Sequence, residues 1–172
     1  MQARNVAVFA LVLIAFSLTY LVLSSLVQGS AAKVGAAAAA NPAYVFTVNG
    51  KAFDISMVAA NDSAREKGLM NATITNATMM VFVFPVSGIY PFWMENTYSN
   101  LDMIWLNVSG STGKVVYLVQ NATSCVGKTL GWCENSTYTP TADADYVIEA
   151  KAGFARANNI TVGTAVRLTR IG

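Results

Sequence analysis

The sequence predicts a mostly β (α+β) domain, a small rolled antiparallel sheet or barrel with one or two short helices, preceded by a single transmembrane helix. Three observations carry this prediction. Two stretches of β-forming residues, Tyr44–Val58 and Leu101–Gln120, are each interrupted by turn residues. Met79–Phe84 (MMVFVF) is continuously apolar, and Val6 to Leu26 is an apolar span without a charge. Many short strands with few helical stretches favour a sheet over a helix bundle.

The span from Val6 to Leu26 would form a helix about 31 Å long, matching a hydrocarbon core of about 30 Å. The short leading tail carries only Arg4, which favours a cytoplasmic amino terminus. A cleavable signal usually has an apolar core of about 7–15 residues, so a retained anchor is expected. Ser30-Ala31-Ala32 offers small residues for cleavage, and secretion after cleavage is the alternative. The expected organisation is therefore a membrane anchor or signal at 1–28, an Ala-rich linker at 29–43, and an extracytoplasmic β domain at 44–172. The membrane is thus one expected partner, through residues 6–26, with the protein sitting in the cell membrane as a single-pass chain.

Within the domain, Tyr44–Val48 and Lys51–Val58 flank Asn49-Gly50, the residue pair best suited to a tight hairpin. Ser63-Ala-Arg-Glu66 has the spacing of a capping box opening a short helix, which Gly68 would stop. Met79–Phe84 reads as a central strand buried on both faces. Leu101–Asn107 and Lys114–Gln120 form a second hairpin about Val108–Gly113. Tyr146–Glu149 and Thr164–Ile171 follow as strands, with a short helix near Phe154–Asn158 between them.

Composition limits the chemistry. Of 172 residues, 54% are apolar and 12% charged; the net charge is +2 and there is no histidine. Mechanisms that need an imidazole, from Ser-His-Asp triads to His-ligated zinc, are excluded. The absence of basic clusters argues against nucleic acid as a partner. No phosphate-binding loop or nucleophile elbow occurs, and nothing calls for a cofactor.

Seven Asn-X-Ser/Thr sequons follow the apolar span, at Asn61, Asn71, Asn76, Asn107, Asn121, Asn135 and Asn159. Chance placement would give roughly two, so an N-glycosylated outward-facing surface is expected. Cys125 and Cys133 are the only cysteines. Enclosing seven residues in an exported domain, they are expected to form a disulfide that staples a loop.

The order of motifs along the domain resembles the DUF192 (UPF0127) family. The resemblance rests on Arg65-Glu-Lys-Gly68-Leu69-Met70, Met80-Val-Phe82-Val-Phe84, Phe92-Trp93-Met94-Glu-Asn96-Thr97 and Leu101-Asp102-Met-Ile-Trp105. It continues through Cys125 and Cys133, Tyr138, Pro140, Tyr146-Val-Ile-Glu149-Ala-Lys-Ala152-Gly153 and Ile160-Thr-Val-Gly163. The pattern departs at Glu95, where Lys is usual, at Met79, where Gly is usual, and at Thr164, where an acidic residue is common. The resemblance implies a compact β-rich fold with short helices; it carries no established activity.

Three sets of residues are candidates for function. Arg65, Glu95, Asn96, Thr97, Asp102 and Glu149 form a polar set, in which Arg65 would pair with a buried carboxylate to make a structural or binding network. Asp102 with Glu149 is the alternative carboxylate pair of a hydrolase acting on glycans or envelope polymers. Tyr90, Phe92 and Trp93 could make an aromatic surface patch. Met70, Met80 and Met94 are the soft ligands of an alternative Cu(I) site, although thioethers more commonly fill gaps in a core. The favoured reading is a binding or interaction module, an accessory subunit of a membrane or envelope complex, rather than an enzyme.

Overall fold

Asn49 and Gly50 both take positive φ, 48° and 76°, as a type I′ turn requires. They fold β1 (Tyr44–Val48) onto β2 (Lys51–Ile55) with Val48 opposite Lys51. The computed structural model describes residues 44–171, so the expected anchor and linker lie outside the described residues. Among the described residues no helix is long and apolar enough to cross a membrane.

After β2 the chain passes through one residue, Ser56, into β3 (Met57–Ala59). Helix α1 (Asp62–Lys67) follows, then β4 (Met79–Gly88), β5 (Leu101–Ser109) and β6 (Thr112–Ala122). A one-turn helix α2 (Leu130–Glu134), β7 (Ala144–Lys151), α3 (Phe154–Ala157) and β8 (Ala165–Arg170) complete the order. The eight strands form one sheet in the order β2-β1-β8-β6-β5-β7-β4-β3, with β3 parallel to β4 and the other pairs antiparallel.

The mostly β expectation holds, but the barrel alternative does not. The hydrogen-bonded ladder ends at β2 on one side and β3 on the other. These edge strands are consecutive in the chain, so β2–Ser56–β3 is one bent strand whose halves pair with opposite ends of the sheet. Corners made by strands that switch partners at a bend are a known device of rolled sheets. The ends are therefore joined through the backbone at Ser56.

The middle strands β4, β5 and β7 are buried on both faces, whereas β8 alternates between buried and exposed residues. Phe46, Ile55, Val81, Ile104, Ile148 and Leu168, drawn from six strands, meet in one core around which the sheet rolls. Leu69, Phe82, Met94, Met103, Trp105 and Val147 make a second core, covered by the long connections after β3, β4 and β6. Alternation assigns successive residues to opposite cores: Val81 and Phe82, Ile104 and Trp105, Ile148 and Val147. The apolar run at Met79–Phe84 is explained, since Met79, Met80, Val81 and Phe82 are all buried.

Two local expectations are corrected. The cap of α1 is Asn61, whose side chain accepts from the Ala64 amide; Ser63 and Glu66 lie within the helix. The second hairpin is longer than expected, with Ser109 opposite Thr112 and Gly110 at φ 64°. Only two residues turn the chain, because a glycine with positive φ matches the twist of the strands.

Cys125 and Cys133 are joined by a disulfide, with their Cα atoms 5.6 Å apart. The Cys133 amide bonds the Thr129 carbonyl, and the Cys125 amide bonds that of Met94, so the loop is tied to the second core. Reduction is expected to cost about 2–3 kcal/mol for a ring of this size. Urea unfolding of the full chain with and without reductant measures this, with a lower midpoint expected for the reduced form.

Candidate functional site

Glu149 is an acid placed where an apolar residue would normally sit. It lies on β7, between β5 and β4, opposite Met103 on one neighbour and Met80 on the other. Parity with Val147 turns its side chain to the second core. It is 4% exposed, and no described residue donates a hydrogen bond to its carboxyl. Burial alone pushes its pKa up to about 8, so near neutrality the group is largely protonated.

The carboxyl faces a crevice of about 20 Å³, enough for roughly one water molecule or one small polar head. One wall is the end of α1 and the residues after it, from Arg65 to Met70; the others bring Phe82, Phe92, Trp93, Glu95 and Thr97. Gly68 is required here. Its φ is 46°, and a Cβ would stand 3.2 Å from Phe82 Cζ and 3.8 Å from Glu149 Oε2. Gly68→Ala is expected to destabilise the domain by about 1–3 kcal/mol through backbone strain and crowding. A lower thermal midpoint would register it.

The Phe92–Thr97 wall is held from several directions. Phe92 exchanges two backbone hydrogen bonds with Tyr138, at 3.0 and 2.7 Å. Its ring packs edge-on against Phe82 at 4.8 Å and Trp105 at 5.4 Å between centroids. Asn96 takes φ 48°, and its carbonyl accepts from the Asn71 amide at 2.8 Å. The Thr97 hydroxyl donates to the Glu95 carbonyl at 3.1 Å.

The predicted polar set divides. Arg65, Glu95, Thr97 and Glu149 line the crevice; Asn96 is exposed beside it. Arg65 does not pair with a buried carboxylate as expected. Its guanidinium donates to the Val83 carbonyl at 2.9 Å and to the exposed Asp62 carboxylate, and sits 5.4 Å from the Phe84 ring. Asp102 belongs elsewhere. It opposes Ala150, so it faces away from Glu149, and its carboxylate accepts from the Asn121, Gly153 and Ala155 amides at 2.8, 3.0 and 2.8 Å. The two acids do not share a cleft, and the alternative catalytic pair is not formed.

The aromatic patch is also corrected. Phe92 is buried, while Tyr90 and Trp93 are half-buried. Tyr90 stacks on Phe84 with centroids 3.7 Å apart, and its carbonyl accepts from the Trp105 indole at 2.9 Å. Among the exposed apolar groups, Val126, Leu130 and Trp132 lie on the disulfide loop, with Tyr98 on the segment before β5. Tyr98, Val126 and Leu130 line a hollow of about 240 Å³ that shares Glu95 with the crevice. Of the methionine candidates, Met80 and Met94 are packed in the second core and Met70 lines the crevice. Among the described residues no three His, Cys, Asp or Glu side chains cluster as a metal site.

What sequence reasoning missed is that Glu149 lies beside Gly68 with no hydrogen-bond partner among the described residues. The available signal was an acid at the end of the β-forming run Tyr-Val-Ile-Glu, where alternation puts it on the face shared with Val147.

The segments that meet at this crevice are among those on which the sequence resemblance rested, and the DUF192 family model matches residues 44–168. The chain belongs to the DUF192 family. The family is described as Uncharacterized ACR. No curated protein matches the chain. Among solved structures, this DUF192 domain resembles a provisionally assigned transcription regulator from Sinorhizobium meliloti, with a TM-score of 0.59 and 24% identity over 74% of this chain and 91% of that one. It also resembles a protein of unknown function from Novosphingobium aromaticivorans, with a TM-score of 0.58 and 20% identity over 73% of this chain and 82% of that one. These likenesses speak to the fold. A larger hollow of about 700 Å³, between Phe53, Met79 and Phe154, shares no residue with the crevice.

Proposed function

We propose that this chain is a single-pass membrane protein whose DUF192 domain acts outside the cytoplasm as a binding module, an accessory subunit of a membrane or envelope complex, with the Glu149 crevice as its recognition point. The observation that carries the recognition point is a carboxyl, 4% exposed and opening only onto the crevice, that no described residue hydrogen-bonds, at the meeting of three sequence-distant segments. Burying such a group costs stability, a cost that folding alone does not require. The apolar groups beside it, Tyr98, Val126 and Leu130, supply contact area of the kind partners use.

Support for the placement comes from the uncharged span at residues 6–26 and from the disulfide. All seven sequon asparagines are exposed, as acceptors must be. Asn61 caps α1, and Asn71, Asn121 and Asn159 take positive φ, so local backbone geometry accounts for four of these asparagines. It does not account for the hydroxyl residue two positions later in each.

The test is gentle detergent extraction of the full chain from native membranes. A partner is expected to co-purify with the wild type and to be lost from Glu149→Gln and Trp93→Ala. Recovery unaffected by either substitution would remove the crevice from the interaction. Intact mass of the native protein is expected to exceed the polypeptide mass by whole glycans; an unmodified mass would remove the glycan component.

A further inference from the structure

We propose that the Glu149 crevice binds the ammonium head of a primary alkylamine, so that an incoming cation supplies the partner the carboxyl lacks within the domain. This deepens the binding-module reading and rests on it.

Size comes first. A space of about 20 Å³ admits one small head group, which excludes a sugar ring, a nucleobase or a phosphate in the geometry described. Chemistry comes next. The carboxyl lies at the base of a crevice lined by Phe82, Phe92 and Trp93, with Glu66 and Glu95 at its edges. Carboxylates and aromatic rings both attract a cation, and a desolvated ammonium gains from each.

The charged groups facing Glu149 are Arg65, Glu66 and Lys67 from α1 and Glu95 from the Phe92–Thr97 segment. Arg65 is already engaged by Asp62 and the Val83 carbonyl, and Lys67 is exposed with no hydrogen bond to the carboxyl. Neither cation neutralises Glu149 from within the domain. An anionic ligand would meet Glu66 and Glu95, offset only by Lys67 because Arg65 is engaged, and could form no ion pair with the Glu149 carboxyl. The alkyl stem would run past Glu95 toward the hollow bounded by Tyr98, Val126 and Leu130.

Proton bookkeeping gives the inference a distinctive signature. At neutral pH the carboxyl is largely protonated, whereas it must ionise to pair with an ammonium. Binding therefore transfers one proton from Glu149 to buffer and leaves an ion pair in the crevice. No bond other than that O–H is broken.

The experiment is calorimetric titration of the full-length protein in detergent with n-butylammonium near neutral pH, in two buffers of different ionisation enthalpy. Saturable binding with close to one proton released is expected, with affinity at least about tenfold weaker in Glu149→Gln. Butyramide and butyrate are the matched neutral and anionic probes and are expected not to bind. Equal binding of butyramide, equal binding by Glu149→Gln, or no saturable binding of butylammonium would overturn the assignment. A lysine-containing peptide blocked at both ends, compared with its acetyl-lysine form, separates a protein source of the amine from a small molecule. If a native partner is captured through Glu149 yet binds equally after its amines are acetylated, the amine assignment falls while the binding-module reading stands.

Discussion

Raising the pH from about 5 to about 9 is expected to destabilise this domain by several kcal/mol, and Glu149→Gln is expected to abolish most of that loss. Burial raises the Glu149 pKa to about 8 in the folded protein, against 4.5 for the ordinary carboxyl. Between those values the native state holds a proton that the unfolded chain has released. Stability is therefore full below the lower value and falls as pH rises, down to a plateau above about 8. Each pKa unit corresponds to about 1.4 kcal/mol, so the whole window is worth on the order of 5 kcal/mol. This is opposite in sign to the familiar acid lability of proteins whose carboxylates are paired. Urea unfolding at several pH values checks it: the wild-type midpoint should fall toward alkaline pH while that of Glu149→Gln stays nearly level. A wild-type midpoint that is flat or rises across the window would show that the carboxyl is paired or solvated in the folded chain.

The second large effect is expected at Asp102. Its carboxylate accepts three backbone amide hydrogens, from Asn121, Gly153 and Ala155, and the residue is fully buried. It thereby fixes the end of β6 and the first turn of α3 to β5. Asp102→Ala leaves these donors without acceptors, each costing about 1–3 kcal/mol, and opens a cavity as well. A total loss of roughly 3–6 kcal/mol is expected, comparable with the whole stability of a marginal domain. Asp102→Asn should recover part of this, because its one carbonyl oxygen still accepts while its amide meets donors. The two variants, compared by hydrogen exchange at the Gly153 and Ala155 amides, distinguish lost acceptors from general loosening. Unchanged protection in Asp102→Ala would refute the capping role.

Much of the fold was legible because local chemistry and tertiary structure agree. Asn49-Gly50 makes the turn its residues favour, Gly68 ends α1, and the alternation along β5 and β7 sorts their residues into two cores. The three-residue β3 was not legible as a separate strand. The sequence from Lys51 to Val58 reads as one extended run, and only its partners reveal the bend at Ser56. Tyr90 and Phe92 read as a surface patch or, more readily, as core, and the choice is made only when Trp105 and Tyr138 are brought beside them. For the site, residue types were visible but pairings were not. Asp102 and Glu149 differ in role because the β5–β7 register places them on opposite faces, and register is a long-range property. The engagement of Arg65 with Asp62 and Val83 likewise depends on how α1 rests on β4.

The position of β8 bears on how the chain is made. The hairpin formed by the first two strands joins the remaining ladder through β8, the last strand in sequence, which lies between β1 and β6. A nascent chain emerging from its amino end must therefore hold that hairpin unattached along one side until residues 165–170 arrive. Final assembly of the sheet thus waits on β8, and a domain delivered across a bilayer by threading would complete its ladder only once that strand had followed.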